Sequence, residues 1–290
     1  MKGAPVSSSS PIAGPFDFDR SSRDEIALFL AEAVMAAGPA VMDVYMRGDD
    51  VRAKSDGSPV TLADLHAERV ICDRISRAAP RAPIVAEEAA ATGHRVTVAE
   101  RFLLVDPLDG TREFIARNGE FTINVALIER GRPVAGAVYA PALARLWFGG
   151  DQAFVCDAPV GDGLPAALLR RRIRVRQAPA ALIALASRSH CDAKTEAFLE
   201  ALPIAERRSR GSSLKFCMIS EGLADVYPRF GPTMEWDTAA GDAVLRAAGG
   251  VVFDLTGAPL VYGKIGGDLR NGPFVAWGDA AAARRFGFRS

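Results

Sequence analysis

The chain is 290 residues long and carries 35 basic and 35 acidic residues, for a formal net charge of zero at pH 7. Balanced charge excludes the broad electrostatic footprint that nucleic acid or an anionic lipid surface requires, so any anion recognition must be local. The length suffices for one large domain or two packed halves, and for burial of well over half of the surface that the unfolded chain exposes.

Residues 1–18, opening MKGAPVSSSSPIAGP, are rich in serine, proline and glycine, lack a continuous apolar run, and read as a flexible tail rather than a signal peptide. Ser22-Arg23-Asp24-Glu25 has the S-x-x-E form of a capping box. Ile26, Leu28, Phe29, Ala33, Val34 and Val41 then recur at helical spacing, which predicts a long helix to about Met46. After a polar loop with Gly57 and Pro59, Thr61 and Asp64 predict a second helix, with Leu65, Val70, Ile71 and Ile75 facing a core and Pro80 ending it. APIVAEE and RFLLVDP are short apolar strands that end in acid. FTINVALIERGRPVAGAVYAP reads as strand, turn and strand, and RLWFGG with QAFVCD as a further hairpin. These elements predict an α+β half over 19–165, joined to the next through the Gly-, Pro- and Arg-rich stretch 157–172. From 166 to 290 the pattern alternates. LIALASRSH is a strand, 192–202 a helix, GSSLKFCMISEGLAD a helix, VYPRF a short strand, EWDTAAGDAVLRAAGG a helix opened by Asp237, and VVFDL and PFVAWGD are strands. That alternation predicts an α/β half.

Acidic residues stand at four element ends: Asp64, Glu87-Glu88, the pair Asp106 and Asp109, and Asp237. Each has an ordinary local explanation. Asp-Pro-Leu-Asp-Gly suits a turn, Asp237 a helix cap, Glu87-Glu88 a solvated loop, and Asp64 a helix dipole. Together they say more, because two like charges three residues apart repel unless a proton or a cation neutralises them. Hard oxygen donors without histidine or thiolate suit magnesium rather than zinc. The cysteines, Cys72, Cys156, Cys191 and Cys217, form no C-x-x-C pair, which predicts reduced thiols in a cytoplasmic setting; the only histidines are His66, His94 and His190. No run approaches the ~18 to 20 uninterrupted apolar residues of an integral membrane segment.

LVDPLDGTREF and EWDTAAGDAV, preceded by AEE, resemble the magnesium-dependent, lithium-sensitive inositol monophosphatase superfamily, from the first helix to about residue 278. SRSH and GSSLKF are similar to its branch that hydrolyses 3'(2'),5'-bisphosphate nucleotides, the CysQ-type phosphatases. The resemblance implies a five-layer αβαβα sandwich of the inositol monophosphatase/fructose-1,6-bisphosphatase type. It implies two or three magnesium ions held by Glu87, Asp106, the Leu108 carbonyl, Asp109 and Asp237, the last closing the site from the second half. Catalysis would fall to Glu87, Thr111 and Asp64, with either Glu87 or the Thr111–Asp64 pair as base. Gly110 and Thr111 would face the phosphate, and Ser187, His190, Gly211, Ser212 and Lys215 would bind the rest of a phosphorylated nucleotide. Lys215 would neutralise the phosphate that is not cleaved, unless it is a solvated helix lysine. Trp236 would line the cleft, stack on a base or pack in the core. The implied reaction turns adenosine 3',5'-bisphosphate into AMP and phosphate in the cytoplasm, with a peripheral association at the inner face of the cell membrane in some relatives. An inositol-1-phosphate or sugar phosphatase shares the metal chemistry and is the nearest alternative. A catalytically silent nucleotide-binding regulator is a further one, and the intact acidic motifs speak against it. The sequence carries no signal for an oligomeric state.

Overall fold

The computed structural model describes residues 16–48, 51–53, 59–92, 99–187, 192–264 and 269–288. Helix α1 (Arg23–Arg47) starts at the capping box that the sequence shows: Glu25 N–H donates to Ser22 Oγ, Ser22 N–H donates to the Glu25 carboxylate, and Gly48 closes the helix at φ +83°. Strands β1 (Val51–Ala53) and β2 (Pro59–Thr61) pair antiparallel, and α2 (Leu62–Ala78) follows at once. Asp64 accepts both the N–H and the hydroxyl of Thr61 at 2.7 Å and so locks this helix start.

A seven-stranded sheet follows in chain order: β3 (Ile84–Ala86), β4 (Arg101–Asp109), β5 (Thr122–Glu129), β6 (Arg132–Ala140), β7 (Arg145–Gly149), β8 (Ala153–Asp157) and β9 (Arg171–Ile173). Only β3 and β4 run parallel; the rest is a meander. Two short helices, α3 (Glu87–Ala91) and α4 (Thr111–Ile115), begin directly after β3 and β4. The strands of the second half are β10 (Leu182–Ser187), β11 (Ile204–Arg210), β12 (Val226–Arg229), β13 (Thr233–Met234), β14 (Val251–Asp254), β15 (Arg270–Asn271) and β16 (Phe274–Trp277). Five of these form one sheet in the order β11-β10-β12-β16-β14, while β13 and β15 make a two-stranded ribbon. The helices of this half are α5 (Ala193–Glu200), α6 (Leu214–Ser220), α7 (Glu235–Ala247) and α8 (Ala280–Arg285).

Three apolar clusters define the layers. Ile26, Leu30, Val34, Ile71 and Ile75 of α1 and α2 pack on Leu103, Val125 and Leu127 of the first sheet. On its other face Leu104, Val138 and Trp147 meet Phe216 and Val244 of α6 and α7, which in turn cover Leu185, Tyr227 and Val252 of the second sheet. Leu199, Ala282 and Ala283 of α5 and α8 close the outer face over Leu182, Val226 and Trp277. This is the five-layer αβαβα sandwich. Burial on both faces explains why Val125-Ala126-Leu127-Ile128 of β5 runs apolar instead of alternating, with Val125, Leu127 and Ile128 each contributing about 1.5–3 kcal/mol. Glycines set the depth of the middle layer: a Cβ at Gly136 would stand 2.8 Å from Ala243 Cβ, and one at Gly149 2.8 Å from Ala247 Cβ. The backbone of α7 therefore rides close on β6 and β7.

Several expectations change. The tail does not reach 18, because Phe16 and Phe18 are buried against Phe29 and Phe16 N–H donates to the Ala78 carbonyl at 2.7 Å. The first sheet runs past 165, since β9 pairs with β8. Leu65 points outward at 43% exposure, and Ala67 takes the core-facing place. Asp237 does not cap α7; Met234 holds that position, and the Asp237 carboxylate accepts its N–H at 2.8 Å from the third helical residue. By length and composition α1 could cross a membrane, but its apolar residues are the core contacts named above. Cys156 and Cys217 are buried free thiols and Cys72 is half-buried; Cys191 and His94 lie outside the described residues.

Candidate active site

A bulge brings the aspartate pair onto one face. In a regular strand, residues three apart point to opposite sides. Here Asp106 lies opposite Asn124 and Asp109 opposite Thr122, so three steps on β4 match two on β5. The extra residue of the bulge turns both carboxylates the same way, and Pro107, which has no N–H for the ladder, sits inside it. Glu87 arrives beside them because β3 pairs in register with β4, Ala86 opposite Val105, and α3 opens on the next residue. Asp237 comes from the first turn of α7, in the layer between the sheets.

The electrostatics of this cluster are unfavourable without a counter-charge. Burial raises the Asp106 carboxyl well above its ordinary range, and the charges of Glu87, Asp109 and Asp237 push the same way. Asp237 is raised by burial and then by Asp109 and Glu87. Asp109 is raised by burial but opposed by the Lys215 ammonium and the Ser212 hydroxyl. Asp106 Oδ1 accepts the Leu108 N–H at 3.0 Å, whereas Oδ2 is buried with no hydrogen-bond partner among the described residues. An orphaned carboxylate oxygen amid further carboxylates fits a hard cation. Among the described residues no three such side chains converge tightly enough to enclose an ion alone.

Gly110 adopts φ +91°, a left-handed conformation that favours glycine, and a Cβ there would stand 3.2 Å from the Glu120 carbonyl oxygen and 3.3 Å from Ser212 Cβ. Gly110, Thr111, Asp109, Glu87 and Asp237 line one cleft of about 280 Å³, together with Ser187, Ser212 and Lys215 from the second half. Thr111 Oγ1 donates to the Leu108 carbonyl at 3.4 Å. Asp64 is buried, and burial raises its carboxyl to about 7, but its hydrogen bonds run to Thr61. Among the described residues the structure shows no Asp64–Thr111 hydrogen bond.

The second half covers the bulge through Gly211, Ser212 and Ser213. Ser212, at φ +55°, donates to Asp109 Oδ2 at 2.7 Å and hydrogen-bonds the Thr122 hydroxyl; Ser213 Oγ donates to the Asp237 carbonyl at 3.0 Å and accepts from Asn124 at 3.2 Å. The cross-strand partners of both aspartates are thus tied to this one segment. Gly211 sits behind the cleft: its N–H donates to Glu120 at 2.8 Å, and a Cβ would stand 2.7 Å from Glu113 Cγ. Lys215 is buried at 4% exposure, not solvated. Its Nζ donates to the carbonyls of Arg210 and Ser212, lies 5.1 Å from the Tyr227 ring centre, and is pushed down to about 8 by burial against the pull of Asp109. Trp236 packs in the core between the sheets, and His190 lies outside the described residues. Sequence reasoning missed Arg229. Arg229 lines the cleft with its guanidinium held by the carbonyls of Gly231 and Pro232, and an arginine closing the apolar strand VYPRF was the available signal.

The model of the inositol monophosphatase family matches residues 22–285. The 3'(2'),5'-bisphosphate nucleotidase CysQ of Escherichia coli K12 is 45% identical over 229 residues, covering 78% of this chain and 89% of that protein. The crystal structure of CysQ from Bacteroides thetaiotaomicron superposes with a TM-score of 0.73 at 36% identity, covering 88% of this chain and 97% of that one. The Thermotoga maritima IMPase superposes at 0.70 with 25% identity, covering 91% and 95%. With its layer order, its paired aspartates on a bulged strand and a family match over nearly its whole length, this chain belongs to the inositol monophosphatase family.

Proposed function

We propose that the chain is a magnesium-dependent 3'(2'),5'-bisphosphate nucleotidase that removes the 3'-phosphate of adenosine 3',5'-bisphosphate, leaving AMP and phosphate, and so recycles the nucleotide by-product of sulfate assimilation. The observation that carries this reading is Lys215, a buried cation beside Asp109 in the same cleft as the acid cluster. A substrate with one phosphate needs the metal centre alone. A second, uncleaved phosphate needs a fixed positive group, and a desolvated lysine supplies one of more than surface strength. The extensive identity to CysQ nucleotidases supports the same conclusion.

In this reading Glu87, Asp106, the Leu108 carbonyl, Asp109 and Asp237 hold two or three magnesium ions. When bound there, magnesium offsets the crowded carboxylates, polarises the phosphoryl oxygens and activates water for an in-line displacement. The protein's own groups do the rest. Gly110 and Thr111 receive the phosphate at the start of α4, and Ser212 keeps the Asp109 carboxylate aimed. Glu87, on the cleft wall, takes the proton from the attacking water. Support for Glu87 over Asp64 as base comes from the bonding of Asp64, which holds the start of α2. Ser187 and Lys215 face the remainder of the nucleotide, with His190 following Ser187 in the chain.

The test is phosphate release with magnesium from adenosine 3',5'-bisphosphate, inositol 1-phosphate and fructose 1,6-bisphosphate. The bisphosphate nucleotide should have the highest kcat/KM. Higher efficiency on inositol 1-phosphate or the sugar would overturn the assignment.

A further inference from the structure

We infer that Glu68 is a positioning residue: through α3 it fixes where the Glu87 carboxylate meets the metal centre. The inference rests on reading Glu87 as a metal ligand.

Glu68 lies one turn after Asp64 on the same side of α2 and faces the start of α3. Glu88 N–H donates to Glu68 Oε2 at 2.7 Å, and Ala89 N–H donates to Oε1 at 2.9 Å. These are N–H groups of the first turn, which no helix can satisfy internally. The N-cap of α3 is Ala86, which has no side-chain acceptor, so the cap comes from another helix, 20 residues earlier in the chain. A helix of five residues has little cooperative stability of its own. Its orientation therefore depends on the end of β3, on the packing of Ala89 and Ala90 against the two apolar clusters, and on the Glu68 carboxylate, which holds its first turn through backbone. Two oxygens on two successive N–H groups restrict rotation as well as position. The residue whose direction they set is Glu87, the first of the helix. The role is distinct from that of Ser212, which holds Asp109 by direct contact; Glu68 acts through backbone.

Groups that orient metal ligands typically cost ten- to a hundredfold in metal affinity when removed. The experiment measures magnesium binding to the full chain by isothermal titration calorimetry and by the rise of Tm with magnesium concentration. Wild type is compared with Glu68→Ala, Glu68→Gln, Glu87→Gln and Arg74→Ala. Arg74 of α2 pairs with Glu32 of α1 and controls for general loosening of α2. Glu68→Ala should raise the half-saturating magnesium concentration roughly ten- to a hundredfold. Glu68→Gln, which keeps one carbonyl acceptor and folds with the same helix contacts, should fall between Ala and wild type. Arg74→Ala should lower Tm and leave the magnesium midpoint in place. An unmoved midpoint in Glu68→Ala alongside a shifted one in Glu87→Gln overturns the inference and spares the ligand. Equal shifts in Glu68→Ala and Glu68→Gln assign the effect to bare charge and overturn positioning, as does an equal shift in Arg74→Ala. An unmoved midpoint in Glu87→Gln overturns the ligand reading and the inference with it.

Discussion

Replacing Lys215 by Met separates recognition of the substrate's second phosphate from the chemistry at the first. Met keeps an unbranched apolar stem of similar volume, so the space against Tyr227 stays filled while the charge and its three donors are lost. Two losses follow from the geometry. The first is the charge-assisted hydrogen bond to the uncleaved phosphate, about 1.5–3 kcal/mol, or roughly ten- to two-hundredfold in kcat/KM. The second is shared by every substrate: the carbonyls of Arg210 and Ser212 lose a donor, and Asp109 loses the positive group that favours its ionised form. Efficiency on any single substrate therefore mixes the two. The ratio of kcat/KM for adenosine 3',5'-bisphosphate to that for 3'-AMP cancels the shared loss, and it should fall roughly ten- to two-hundredfold. Initial rates of phosphate release at saturating magnesium and pH 7 measure it, a pH at which Lys215, pushed down to about 8, is still mostly charged. An unchanged ratio would refute the reasoning and leave Lys215 as a structural tie for the Ser212 segment.

Asp109→Asn should lower turnover on both substrates by more than about a hundredfold without changing their ratio, because even groups that merely orient ligands cost up to that much; near-normal activity at ordinary magnesium would remove Asp109 from the metal set. Chelator-treated protein should lose stability as pH rises from about 5 to 8. Burial raises Asp64 and Glu68 to about 7 each, above their unfolded values, so the folded state binds more protons over that interval and its advantage fades through pH 7. Tm in EDTA should be higher at pH 5.5 than at pH 8, with magnesium restoring more at pH 8, and a Tm that climbs with pH in EDTA would contradict the sign. Lithium, small enough for a magnesium position but carrying half its charge, should inhibit where potassium does not; superimposable titrations of the two salts would end that expectation.

What the sequence makes legible is what a few neighbouring residues decide. Ser22 with Glu25 and Thr61 with Asp64 are caps whose donors and acceptors lie within three residues, and both helices start where those residues place them. Strand β11, with Glu206 and three arginines in seven residues, carries no local strand signal; it exists because its backbone pairs with β10 at the sheet edge, where charged side chains reach water. The same division runs through the site. Asp106-Pro107-Leu108-Asp109 reads locally as a turn, and only pairing with Thr122 and Asn124 shows it as a bulge. Lys215 reads as a solvated helix lysine until Tyr227 and two backbone carbonyls enclose it.

Asp64 marks the limit of arguing from a shared motif. The resemblance pairs it with Thr111, while its own neighbours claim both of its described hydrogen bonds for Thr61. The placement of Asp237 depends on contacts still further apart in the chain. Helix α7 can lie close to the first sheet because Gly136 and Gly149 leave no Cβ in the way of Ala240, Ala243, Val244 and Ala247. Those small residues look unremarkable one by one, about a hundred positions from their partners. A larger residue at either glycine would force α7 outward, and with it the carboxylate that closes the cleft from the second half. The acidic cleft thus depends on packing at positions that carry no chemistry of their own.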